Sequence, residues 1–202
     1  MLEDEGASWG VTRQAVLAGY HGDESTVRAL LPHSDPRVRA AALSALARMG
    51  RLGDEELVAA LDDPSARVRR RACELAARRA GVDLMARLVD QDPTVVEAAA
   101  WALGEQGSAA AQAVPALAQV ASTHDDPLCR EAAVAALGAI GDERGLPAIL
   151  AATRDRAPVR RRAVIALAPF SGPPVEEALR RALSDKDWQV RQAAEDLLPE
   201  PE

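Results

Sequence analysis

One block of sequence recurs six times along the chain, and it leaves few folds open. Read with Val38, Val68, Val95, Cys129, Val159 and Val190 as anchors, it returns at spacings of 30, 27, 34, 30 and 31 residues. The fourth position after each anchor is alanine every time: Ala42, Ala72, Ala99, Ala133, Ala163 and Ala194. The eighth reads Leu46, Ala76, Leu103, Leu137, Leu167 and Leu198, and the seventh Ala45, Leu75, Ala102, Ala136, Ala166 and Leu197. Successive residues of an α-helix turn by about 100°, so positions 0, 4, 7, 8 and 11 share one face. Each block therefore predicts an amphipathic helix.

The blocks also carry start and stop signals. Asp35-Pro36, Asp63-Pro64, Asp92-Pro93 and Asp126-Pro127 place a capping acid before a proline suited to a first helical turn. A shorter apolar stretch precedes each block, at 26–31, 55–62, 82–90, 113–121, 146–153 and 175–185, and predicts the first helix of a hairpin. The glycine-bearing joints GRLGD, GEQG, GDERG and FSGPP end helices. Apolar residues make up 48% of the chain and aromatics only 2%, so the core is built from Ala, Leu and Val, which suits closely packed helices better than sheets.

Two helices per unit of about 30 residues is the mark of an α-solenoid, in which each hairpin packs on its neighbours. The run DPRVRAAALSAL at 35–46 resembles the short bacterial HEAT repeat, also called the bilin-lyase-type HEAT-like repeat, and the likeness extends over about 24–198. The resemblance implies an all-α, right-handed superhelix of about six hairpins plus an N-terminal capping helix, and scaffolds or adaptors more often than any one chemistry. We expect a single repeat domain over 1–202: a cap at 1–22, repeats at 23–50, 51–80, 81–106, 107–141, 142–170 and 171–198, and a tail at 199–202. Val11 lies 27 positions before Val38 and marks a degenerate helix from about Ser8 to Tyr20. Val96 departs from the pattern by replacing the arginine that usually follows the anchor, and the spacing of 34 before Cys129 implies a longer joint near Gly107 to Gln112.

The formal charge of −7 argues against general affinity for the nucleic-acid backbone. Two cysteines 56 positions apart make no disulfide framework or CxxC knuckle, and the start MLEDEGASWG lacks the basic and apolar regions of a signal peptide. A cytoplasmic protein without a membrane span is expected.

Arg39, Arg69, Arg130, Arg160 and Arg191 follow five of the anchors. The resemblance implies that they form a hydrogen-bonded ladder between neighbouring repeats, with Asp35, Asp92, Asp126 and Asp187 as both caps and acceptors. It also implies that second helices line a concave surface, where positions 2, 6 and 9 lie opposite the core face. On that surface Trp101, Ala135 and Ile165 form an apolar middle, with Arg70, Glu74, Glu97, Glu131 and Arg161 around it. Small residues at position 9, from Ala47 to Ala168, leave the groove shallow, and Trp101 is its expected hot spot. Trp9 and Trp188 are expected to pack in the end caps.

His21, His33 and His124 fall in joints, and no HExxH, phosphate loop or catalytic triad is visible, so neither an enzyme nor a cofactor or metal is expected. Cys73 and Cys129 read as small core residues. The leading expectation is a monomeric, non-enzymatic adaptor that grips an extended segment or helix of another protein. The alternatives are a nucleic-acid-binding or DNA-repair protein of the HEAT-like kind, suggested by RVRRR at 67–71 and RDRAPVRRR at 154–162, and a regulatory subunit of an enzyme.

Overall fold

The structure, a computed structural model, describes residues 2–198, with side chains from residue 9 onward. The tail expected at 199–202 lies outside the described residues. Among the described residues every regular element is helical. They form two compact units, divided between Val82 and Asp83.

The first unit begins with α1 (Leu2–His21), followed by the hairpins α2 (Glu24–Ala29) with α3 (Pro36–Arg48) and α4 (Asp54–Leu61) with α5 (Ala66–Ala76). Helix α1 packs along α3. The approach is close enough that a methyl group on Gly19 would sit 2.7 Å from the Ala45 Cβ. It therefore acts as the expected N-terminal cap. Trp9, however, is 72% exposed and packs nothing away, and Tyr20 also faces out, its ring 4.3 Å from the Arg48 guanidinium carbon.

The second unit opens with a 3-10 turn (Met85–Val89) and α6 (Pro93–Gln106). It continues with α7 (Val114–Thr123) and α8 (Pro127–Ile140), α9 (Leu146–Ala152) and α10 (Ala157–Ala166), and α11 (Pro173–Ala182) and α12 (Trp188–Glu195). The stretch at 82–90 is thus no α-helix. The 27-residue spacing between Val68 and Val95 removes about one turn from this hairpin, and a 3-10 turn still buries Leu84 and Leu88. The longer spacing before Cys129 is taken up by a second 3-10 stretch, Gly107–Ala113. Trp188 is 64% exposed in the first turn of α12, so the expected cap packing fails at this end as well. What finishes the last helix is Glu195, exposed at the position where the other five repeats bury Leu43, Cys73, Ala100, Val134 and Val164.

The repeated alanine is explained by burial. All six fourth-position alanines are fully buried, and the six anchors are at most 1% exposed. A larger side chain there would push apart the two helices of a hairpin. Carboxylates of Asp35, Asp92, Asp126 and Asp187 accept from the amides of Arg37, Thr94, Leu128 and Gln189 at 2.7–2.9 Å, capping α3, α6, α8 and α12. Asp63 is not a cap, because α5 begins after Ser65. In the joint after α8, Gly141 takes a left-handed φ of 70° and its amide donates to the Leu137 carbonyl at 3.1 Å.

Position 9 also serves close helix packing. A methyl group on Gly104 would lie 3.0 Å from the Ala136 Cα, and one on Gly138 only 2.7 Å from the Ala166 Cα. Small residues at this position let α6, α8 and α10 pack backbone to backbone.

Candidate functional site

The arginines after the anchors are structural. Arg39 donates through Nε and Nη2 to both carboxylate oxygens of Asp63 at 2.8 and 2.7 Å, Arg130 does so to Asp155 at 2.7 and 2.8 Å, and Arg160 to Asp185 at 2.8 and 2.7 Å. Each Nη1 meanwhile donates to carbonyls of its own hairpin turn, His33 and Ser34 for Arg39, His124 and Asp125 for Arg130, and Asp155 for Arg160. One guanidinium thus ties a turn to the next hairpin by bidentate, charge-assisted bonds. The ladder acceptors are not the capping acids. Asp63 and Asp185 stand two residues before the caps Ser65 and Asp187, so capping and laddering fall to separate acids. Val96 has no guanidinium to offer and is fully buried instead, and two residues before the next cap stands His124, whose Nδ1 accepts from the Asp126 amide at 3.1 Å.

The charges respond accordingly. The hydrogen bond from Arg130 holds the Asp155 carboxyl below the usual range despite partial burial, and that from Arg160 does the same for Asp185. The hydrogen bonds to the partner acids raise Arg39, Arg130 and Arg160.

One concave surface of the second unit is a groove of about 350 Å³ lined by α6, α8 and α10. From α6 come Glu97, Trp101, Gly104 and Glu105, from α8 Leu128, Glu131, Ala132, Ala135, Ala136 and Ala139, and from α10 Arg162. Trp101 is 47% exposed, which is a solvent-facing register, and Leu128 is 56% exposed at the start of α8. Arg162 points Nη2 at Glu131 Oε1, 3.4 Å away. Glu97 and Glu105 make no ion pair among the described residues.

Of the residues singled out in the sequence, Trp101, Ala135, Glu97 and Glu131 therefore line one groove. Ile165 is 44% exposed on α10 but does not line it, and neither does Arg161. Arg70 and Glu74 belong to the first unit and pair with each other at 3.2 Å. Sequence reasoning missed Leu128, Glu105 and Arg162. On α6 the groove takes Gly104 at position 9 and also Glu105 at position 10, one helical turn beyond Trp101 and so on the same face. Leu128 carried a signal of its own, an apolar residue off the core face in the first turn of α8.

Among the described residues no group of three or more His, Cys, Asp or Glu side chains could hold a metal ion. Both cysteines are buried, and burial, with nearby Asp126 and Glu97 adding to it, pushes the Cys129 thiol up to about 11. No described helix is long and apolar enough to cross a membrane.

Comparison with known proteins gives a consistent picture. The sequence pattern described as HEAT repeats matches residues 54–114 and 81–168, and that described as the PBS lyase HEAT-like repeat matches 159–185. No curated protein matched the chain. Among solved structures, an engineered protein superposes with a TM-score of 0.65 at 22% identity, over 87% of this chain and 95% of the other. A designed armadillo repeat protein in complex with the peptide (KR)4 gives 0.65 at 20% identity, over 85% and 96%. The complex of CpcE and CpcF of phycocyanin lyase from Nostoc sp. gives 0.61 at 26% identity, over 85% and 74%.

Proposed function

This chain belongs to the HEAT-repeat family, and from that premise we propose that it is a non-enzymatic scaffold or adaptor that holds an extended or helical segment of another protein in the groove between α6 and α8. The observation that carries the reading is Trp101. An indole half open to solvent, over a floor of alanines and beside exposed Leu128, has the character of a binding hot spot, because desolvating a large aromatic contributes more than most interface contacts. The close backbone packing of α6, α8 and α10 preforms the surface, which keeps the ordering cost of binding low. The peptide complex of the designed armadillo protein supports the same use of this architecture. A cytoplasmic location belongs to this reading and is supported by two buried cysteines that stand outside any disulfide.

Nucleic acid is the weaker reading. Arg39, Arg130 and Arg160 are held by carboxylates, and the groove carries three carboxylates against one guanidinium. A subunit of an enzyme complex is a second reading, favoured by the likeness to the CpcE and CpcF complex.

Affinity capture from the native host, with the wild type and Trp101→Ala compared at equal loading, tests the proposal. The variant should retain a specific partner at least about tenfold less well while its thermal unfolding is nearly unchanged. Equal retention by Trp101→Ala and by Ala135→Arg, which fills the groove floor, excludes this site.

A further inference from the structure

We propose that the groove at Trp101 recognises a basic segment, an extended peptide that lays a lysine or arginine side chain over the indole. This inference rests on the groove being a protein-binding site and names the chemistry of what enters it.

Three observations converge. Glu97 and Glu105 lie four residues before and after Trp101 on α6, so one carboxylate stands a helical turn below the indole and another a turn above it. A cation placed against the ring face meets both the ring quadrupole and the two flanking charges. The carboxylate across the groove, Glu131, has Arg162 beside it at 3.4 Å, whereas Glu97 and Glu105 have no counter-ion among the described residues. The unanswered negative charge is therefore centred on the tryptophan. Finally, the floor of Ala132, Ala135, Ala136 and Ala139 offers no side chain long enough to obstruct a main chain lying across it, and Leu128 at the rim can cover the methylenes of a long basic side chain.

Other occupants fit less well. A purely apolar helix would leave two carboxylates desolvated without partners, and an acidic or phosphate-bearing ligand would meet them as like charges.

The test uses the full chain with Trp9→Phe and Trp188→Phe substituted, so that Trp101 alone reports by fluorescence. Four probes are titrated: an alternating Lys-Arg octapeptide, an alternating Glu-Ala octapeptide, an uncharged amphipathic helical peptide and a single-stranded oligonucleotide. The Lys-Arg peptide should bind at least about tenfold more tightly than the other three and shift the Trp101 emission. Glu97→Gln with Glu105→Gln should weaken it about tenfold or more, with helicity by circular dichroism unchanged, and the affinity should fall as salt rises from about 50 to about 300 mM, because the shorter Debye length screens the exposed charges. Lys-Arg binding that survives the double Gln substitution, absence of Lys-Arg binding, or tighter binding of the acidic peptide or the oligonucleotide overturns the inference. Binding of the uncharged helix, followed by titration calorimetry because Trp101→Ala removes the fluorescent reporter, that is lost in Trp101→Ala but kept in the Gln variant overturns the basic partner while leaving the groove as a docking site.

Discussion

Arg130 holds Asp155 by two parallel hydrogen bonds, Nε to Oδ2 at 2.7 Å and Nη2 to Oδ1 at 2.8 Å, while its Nη1 donates to the His124 and Asp125 carbonyls of its own turn. Both side chains are at most 20% exposed. Such a pair lies between a surface ion pair, which adds little, and a buried one, whose loss strands a charge. Arg130→Ala should destabilise the second unit by about 2 kcal/mol, and Asp155→Ala by a similar amount. A double-mutant cycle in urea unfolding checks this, and additive effects would show that the two do not act as a pair.

The same pairs set the response to acid. Asp155 and Asp185 titrate below their unfolded values because each accepts from an arginine, so the folded state binds fewer protons than the unfolded chain near pH 4. Their contribution is present above the ordinary aspartate pKa and is lost as pH falls through the lowered folded values. Melting temperature should therefore drop between about pH 4 and 2, and the drop should be smaller in Arg130→Ala with Arg160→Ala. An identical slope in wild type and variant contradicts the assignment.

Gly138 and Gly10 should respond oppositely to alanine. The new methyl at 138 would sit 2.7 Å from the Ala166 Cα, and backbone cannot yield cheaply, so Gly138→Ala should cost about 1–3 kcal/mol despite better helix propensity. Gly10, inside α1, has nothing within 4 Å of the added methyl, so Gly10→Ala should be neutral or stabilising by up to about 1 kcal/mol. Thermal melts of the two variants decide between packing and propensity as the reason for these glycines.

The thiols should be inert in the folded chain. Cys129 is fully buried, its Sγ lies 3.2 Å from the Pro93 carbonyl, and its pKa is pushed up to about 11, while Cys73 is fully buried too. A thiol-reactive chromophore at pH 8 should label neither until denaturant is added. Fast labelling of the native protein would show that the hairpins open locally.

The hairpins were legible in the sequence because the anchors and fourth-position alanines each answer to one demand, complete burial between two helices. The site was legible only in part. Trp101, Ala135, Glu97 and Glu131 follow from counting positions 2 and 6 along α6 and α8, but how far the groove runs along each helix does not, so it takes in Glu105 and Arg162 and leaves out Ile165. Position 9 was legible as small but not in its packing role: a small residue reads alike whether it borders a groove, as at Gly104, or presses on another backbone, as at Gly138. The end tryptophans misled because Trp9 and Trp188 stand two residues before Val11 and Val190, a position that none of the six repeats buries. The ladder was foreseen for the arginines but assigned to the wrong acids, since Asp185 and Asp187 differ only in which donor each one meets.

The claim that matters most is that the groove at Trp101 receives another protein. A photo-crosslinking amino acid placed at Leu128 on the groove rim, with Leu183 at the C-terminal end of α11 as an exposed control, tests it in extracts of the native host. The account predicts a discrete adduct from position 128, none of that mass from 183, and its loss when Trp101→Ala is added. Adducts of equal yield from both positions, or from 183 alone, would contradict it.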